Sequence, residues 1–170
     1  MPTFDHDAFL ARLAEPGNQP HAAFEALKDL VVEQVGAKLF TVTTVETGTM
    51  HSERLYSNMP DAYPVYGLKP YEENDWTDVV LRDKRTFVAN TIGDIAKVFF
   101  DSELIQSLGC ESCINVPLVV DGRVIGTLNC LHDAGYYTPD RIAAAEALKL
   151  AGTVCVLFNS TLKAEEAAHV

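Results

Sequence analysis

The chain has 170 residues, 48% of them hydrophobic and 22% charged, and 13 Lys and Arg face 24 Asp and Glu for a net charge of −11. A chain of this length fits one domain that buries roughly two thirds of its unfolded surface. A surface this acidic repels phosphate backbones, and no Lys/Arg cluster offsets it, which excludes nucleic acid and anionic membranes as expected partners.

A short helix is expected over Asp7–Ala14, broken by Glu15-Pro16-Gly17-Asn18-Gln19-Pro20. A second follows over His21–Val35, where Phe24, Leu27, Val31 and Val35 recur at helical spacing and Gly36 stands ready to end it. Lys38–Val45 and His51–Asn58 read as a β-hairpin joined by Glu46-Thr47-Gly48-Thr49. Met59–Asn74 carries Pro60, Pro64, Gly67 and Pro70 and reads as a long loop. Tyr56, Tyr63, Tyr66 and Tyr71 lie in or just before it and Trp76 follows, an aromatic density that predicts an ordered cover. A short helix after Asp75, a strand over Thr86–Ala89 and a helix over Ser102–Leu108 come next, the last capped by Asp101 and ended by Gly109. Phe99-Phe100 is expected to anchor that helix to the core. Ser112–Val120 and Arg123–Leu131 flank Asp121-Gly122, a strong hairpin signature. Thr138-Pro139 opens a long helix expected to reach about Lys163. Residues 1–20 are read as an N-terminal helix and linker, 21–163 as the domain, and 164–170 as a tail.

Strands joined by tight hairpins are antiparallel, so the class is α+β, with helices from both chain ends on one face of the sheet. Met1–Arg12 lacks a basic start followed by an apolar run, and the longest uncharged stretch, Leu150–Leu162, is short of the ~20 apolar residues a membrane span needs. Cys110, Cys113, Cys130 and Cys155 then read as reduced thiols, and the expected compartment is the cytoplasm.

Leu39-Phe40-Thr41-Val42, Ser107-Leu108-Gly109-Cys110 and above all Asn115-Val116-Pro117-Leu118 followed by Asp121-Gly122-Arg123-Val124-Ile125-Gly126-Thr127-Leu128 make the chain resemble a GAF domain across roughly Phe24–Phe158. The resemblance implies a GAF/PAS-like antiparallel sheet with N- and C-terminal helices on one face and a loop-covered ligand pocket on the other. It also implies a small-molecule sensor or regulatory role. No attached output domain is expected in this chain, so output would pass through a separate protein or through concentration of the ligand. The cyclic-nucleotide signature of the family and the Cys-His pair of its bilin-binding members are absent from the sequence. The alternative is a thiol-dependent redox enzyme similar to free methionine-R-sulfoxide reductase. At the positions matching that enzyme's acidic substrate-binding residues stand Cys113, Asn129 and Leu131, and Arg85–Ile95, where it places cysteines, has none.

The residues expected to contact a small polar ligand are Arg54, Tyr56, Tyr63, Tyr66, Trp76, Cys113, Asn115, Thr127 and Asn129. Polar Asn115, Thr127 and Asn129 interrupt otherwise apolar strands, and an unpartnered buried amide costs roughly 1–3 kcal/mol. Strict two-residue pairing from Asp121-Gly122 sets Cys113 opposite Cys130 and puts Asn115 on the face opposite Asn129. A β-bulge near Pro117 would bring the two asparagines together, away from the terminal helices. Arg54, facing inward, would suit a carboxylate or another acceptor group. Cys110-Glu-Ser-Cys113 without a second pair is weak as a metal site, and His132 reads as a loop residue. No catalytic residue, metal or cofactor is expected. The uncharged stretch of the last helix, with Leu150, Val154, Cys155, Leu157 and Phe158, is apolar on several sides and predicts a homodimer through the terminal helices.

Overall fold

The computed structural model describes residues 5–169, so Met1–Phe4 of the N-terminal segment and Val170 of the tail lie outside the described residues. In chain order the elements are α1 (His6–Ala14), α2 (His21–Gln34), β1 (Leu39–Glu46), β2 (His51–Ser57), β3 (Leu68–Pro70), α3 (Asp75–Thr77) running into a π-helical turn at Asp78–Arg82, β4 (Phe87–Ala89), α4 (Ile92–Ala96), α5 (Ser102–Ser107), β5 (Ser112–Val120), β6 (Arg123–His132), α6 (Pro139–Ala147) and α7 (Lys149–Ala168). The strands form one sheet in the order β3-β2-β1-β6-β5-β4, with every neighbouring pair antiparallel. This is the α+β arrangement expected from the hairpins.

Side chains alternate across the sheet with period two, so its two faces carry different residues. Phe40, Val42, Ile114, Val116, Leu118, Leu128 and Cys130 pack with Phe24, Leu27 and Val31 of α2 and with Ala151, Cys155 and Val156 of α7. Removing one such large side chain from water is worth about 1.5–3 kcal/mol, so this helix-covered face supplies most of the core. On the other face Leu39, Cys113 and Leu131 pack with Tyr63, Ala89, Ile95 and Ile105.

Two bulges decide which side chains share a face. Beside the Asp121-Gly122 turn the pairs are Val120–Arg123 and Val119–Val124, and the register then shifts to Leu118–Gly126. Ile125 is the extra residue. The bulge therefore lies one residue beyond Pro117, and its unpaired member belongs to β6. It sets Leu131 opposite Cys113 and Ile114 opposite Cys130, so the expected Cys113–Cys130 pair does not form. A second shift, between Val42–Tyr56 and Thr43–Arg54, makes Leu55 the extra residue of β2. Because one inserted residue reverses the alternation, Arg54 and Tyr56 point to opposite faces although two apart in sequence.

Two further elements depart from the sequence expectation. The long C-terminal helix is two helices, α6 and α7, bent by 42° around Leu148, which is buried at the joint; α7 then runs on to Ala168. Among the described residues no single helix is long and apolar enough to cross a membrane. Strand β3 lies inside the expected loop Met59–Asn74. It consists of three exposed residues held only by β2, which gave the sequence no burial pattern to display.

Gly126 sits where the bulged strand closes on β1. A Cβ there would fall 2.5 Å from the backbone oxygen of Thr43, which the sheet cannot move without breaking its ladder. Gly126→Ala is expected to destabilise the protein by about 1–3 kcal/mol in urea unfolding. Gly48→Ala, with nothing within 4 Å of the new methyl, is expected to leave the midpoint unchanged.

Candidate functional site

The sheet face away from α2 and α7 floors a cavity of about 760 Å³. Thr41 and Thr43 of β1, Arg54 of β2, Cys113 and Asn115 of β5, and Thr127 and Asn129 of β6 reach it from below. Tyr63, Tyr71, Trp76 and Phe99 stand around it. The last three are linked edge to face, with ring centroids 6.3 Å apart for Tyr71–Trp76 and 6.2 Å for Trp76–Phe99. A second hollow of about 600 Å³ lies where the β1–β2 hairpin meets α7, and Lys163 and Glu53 at its edge are paired with each other.

The polar floor is one hydrogen-bonded chain. The Trp76 indole N–H donates to Asn115 Oδ1 (3.1 Å), Asn115 Nδ2 to Asn129 Oδ1 (2.7 Å), and Asn129 Nδ2 to Thr41 Oγ1 (3.1 Å) and Thr43 Oγ1 (3.3 Å). Thr43 and Thr127 share a hydroxyl bond of 2.7 Å. The β6 bulge makes this chain possible, since it sets Asn115 directly opposite Asn129. A satisfied network of buried amides fixes side-chain positions, whereas a broken one leaves groups that each cost about 1–3 kcal/mol. Trp76 is itself positioned by Asn74, whose side chain caps α3 by accepting from the Trp76 and Thr77 backbone N–H groups and donates to the Val98 carbonyl.

Arg54 joins the floor to the cover. Its Nη1 donates to the Pro64 carbonyl (2.9 Å), and its guanidinium lies 4.7 Å from the centre of the Tyr63 ring. The Tyr63 hydroxyl donates to Asp101 at the head of α5 (2.5 Å). Burial, reinforced by that bond, pushes the Tyr63 hydroxyl above its ordinary range, so it stays a donor. Burial also pulls the Arg54 guanidinium below its ordinary value, with Tyr63 and Asp101 opposing, and it stays charged. Asp101 occupies the cap position of α5, but its side chain makes no capping bond; it holds Tyr63 instead.

Of the residues expected at the site, Arg54, Tyr63, Trp76, Cys113, Asn115, Thr127 and Asn129 line this cavity. Tyr56 does not. The β2 bulge turns it to the helix face, where it stacks on Phe24 (5.9 Å) and donates to Glu25 Oε1 (2.5 Å). Tyr66 is also outside, 71% exposed with φ at +72°, because the cover loop reverses there and carries the ring outward. Phe99 packs inward, but Phe100 is 95% exposed at the cavity's edge and anchors nothing. Sequence reasoning missed Thr41, Thr43, Tyr71, Asn74 and Asp101. The two threonines were signalled by their alternation with Phe40 and Val42, and Asn74 by its cap position before a short helix, while Asp101 owes its role to a partner distant in the chain.

All four cysteines are buried and free. Burial pushes Cys113 and Cys155 each up to about 12 and raises Cys110 and Cys130 as well. Among the described residues no group of three or more His, Cys, Asp or Glu is placed to hold a metal ion.

A helix-backed antiparallel sheet with a cavity on its free face is the architecture of a GAF-type α+β module. The family model of the GAF domain matches residues 19–155, and the chain belongs to the GAF domain family. No curated protein matches the chain. Among solved structures it is similar to the GAF domain of an Acinetobacter phosphoenolpyruvate-protein phosphotransferase (TM-score 0.68, 10% identity, covering 96% of this chain and 99% of that one). It is also similar to the GAF domain of a two-component sensor histidine kinase from Bacillus halodurans (0.58, 13%, 81% and 95%). A third likeness is to free methionine-R-sulfoxide reductase from Neisseria meningitidis in complex with its substrate (0.62, 16%, 91% and 86%). At these identities the likeness shows the shared fold.

Asn129→Ala would leave the amide of Asn115 without its acceptor and Thr41 and Thr43 without their donor. The expected cost is about 1–3 kcal/mol in urea unfolding, together with a changed Trp76 emission as its partner Asn115 loosens. Tyr56→Phe is expected to cost about 1 kcal/mol through the lost bond to Glu25 and to leave Trp76 emission unchanged.

Proposed function

We propose that this GAF domain is a sensor or regulatory module that holds a small polar molecule between the free sheet face and the aromatic cover, without turning it over. The observation that supports this most is the cavity itself: apolar aromatic walls around a few converging polar side chains, each fixed by a neighbour, are the usual form of a small-molecule site. GAF domains are commonly ligand-binding sensory or regulatory domains, and one similar structure comes from a sensor histidine kinase. The residues assigned to binding are Arg54, Tyr63, Trp76, Cys113, Asn115, Thr127 and Asn129.

The thiol chemistry of the reductase alternative finds no support in the cysteines. A thiolate is the nucleophile, and burial holds all four thiols in the protonated form. Cys113 faces the cavity while its expected partner Cys130 faces the helices. Native protein is therefore expected to react with iodoacetamide far more slowly than urea-unfolded protein, and to show no reductant-dependent reduction of free methionine sulfoxide. Stoichiometric turnover lost on Cys113→Ser would overturn the sensor reading.

The terminal helices are assigned to a homodimer interface. Leu150, Val154 and Leu157 recur at i, i+4 and i+7 along α7, and Leu150 and Leu157 stay exposed in the single chain. Such a stripe is covered most simply by its own copy across a twofold axis. Light scattering at micromolar concentration is expected to give the mass of two chains, and Leu150→Glu with Leu157→Glu the mass of one. Reduced buried cysteines suit a cytoplasmic setting.

A further inference from the structure

Among the charged side chains that line the proposed pocket, Lys69 and Glu72 are exposed, whereas Arg54 is partly buried. Arg54 makes no ion pair among the described residues, although acidic side chains outnumber basic ones 24 to 13 in the chain. Its carboxylate neighbour, Asp101, is engaged by the Tyr63 hydroxyl. One nitrogen, Nη1, is held by the Pro64 carbonyl. The other edge of the guanidinium is free: Nε is buried with no hydrogen-bond partner, and Nη2 makes no hydrogen bond. Nε and Nη2 together present the parallel pair of N–H groups that a carboxylate accepts bidentately. The floor tells the same way. Asn129 spends both amide hydrogens on Thr41 and Thr43, but Asn115 keeps one N–H and Thr41 keeps its hydroxyl hydrogen, so the floor still offers donors beside the second lone pairs of its amide oxygens. Lys69 and Lys97 stand among the lining residues, the latter paired with Asp94. Opposite the donors, Tyr71, Trp76 and Phe99 offer flat apolar surface.

We propose that the ligand is a small carboxylate with a flat apolar body, its carboxylate on the Nε/Nη2 edge of Arg54 and its body against Trp76 and Phe99. Docking it repairs the orphaned Nε donor and neutralises the unpaired guanidinium, while the body displaces water from the aromatic wall. This rests on the reading of the cavity as a ligand site, and goes further by naming the ligand's chemistry.

The test uses the full chain and matched probes: benzoate, phenylacetate and indole-3-acetate, each against its uncharged carboxamide, with nitrate and inorganic phosphate as bare anions. Thermal shift and the emission of Trp76, the single tryptophan, give the affinities. At least one carboxylate is expected to bind tenfold or more tightly than its carboxamide and than either bare anion. Arg54→Lys, which keeps the charge but loses the fork, is expected to weaken that probe at least tenfold, and Arg54→Gln to remove its shift. Should the glutamine variant fold poorly, the lysine variant and the acid–amide comparison carry the test on their own. Carboxamides binding as well as the acids would overturn the carboxylate while leaving the pocket reading intact. Nitrate or phosphate binding as well would overturn the apolar body. Failure of every probe, acid and amide alike, would overturn this proposal and remove the support for the cavity as a binding site as well.

Discussion

One extra residue in β6, Ile125, stands behind the arrangement of the free sheet face. Side-chain direction alternates strictly along a strand, so a single insertion shifts every pairing beyond it. Without it Asn115 and Asn129 would lie on opposite faces, one of them beneath α2 and α7 among Phe24, Leu27 and Val156, where its amide would find no partner. With it the two amides face each other, and the apolar members of the same strands fall together under the helices. Gly126 makes the shift possible, because only a residue without a Cβ lets the bulged strand lie this close to β1.

From that floor the cover is organised outward. The indole of Trp76 is fixed from below by Asn115 and from behind by the capping of α3, and its neighbours Tyr71 and Phe99 take their places against it. Arg54, displaced from its sequence neighbour Tyr56 by the second bulge, reaches up to Pro64 and Tyr63, and Tyr63 reaches on to α5. A long Pro- and Gly-containing segment would otherwise pay its full conformational entropy with little return. Here it is tied to the sheet at both of its ends, which leaves a walled volume between.

The same burial that builds the site quiets its thiols. A cysteine enclosed by Leu39, Ala89 and Leu131 loses the hydration its thiolate would need, and Cys113 remains a small apolar wall residue. A fold shared with a reductase does not by itself bring that chemistry along.

Local chemistry in the sequence determined much of this protein. Hairpin turns at Asp121-Gly122 and around Gly48, helical spacing in α2, and alternating apolar strands were legible because each signal lies within a few residues of its cause. Asn115, Thr127 and Asn129 drew attention for the same reason, as polar residues in apolar strands. What only the tertiary structure decided was register and direction. Tyr56 and Tyr66 share their composition with Tyr63, yet one is turned under the helices by a bulge and another is carried outward by a loop reversal at positive φ. The bend at Leu148, the diversion of Asp101 from helix cap to partner of Tyr63, and the separation of Cys113 from Cys130 are likewise settled by residues far away in the chain. A bulge costs one residue and leaves composition and periodicity nearly untouched, so its consequences for which side chains meet appear only when the strands are paired.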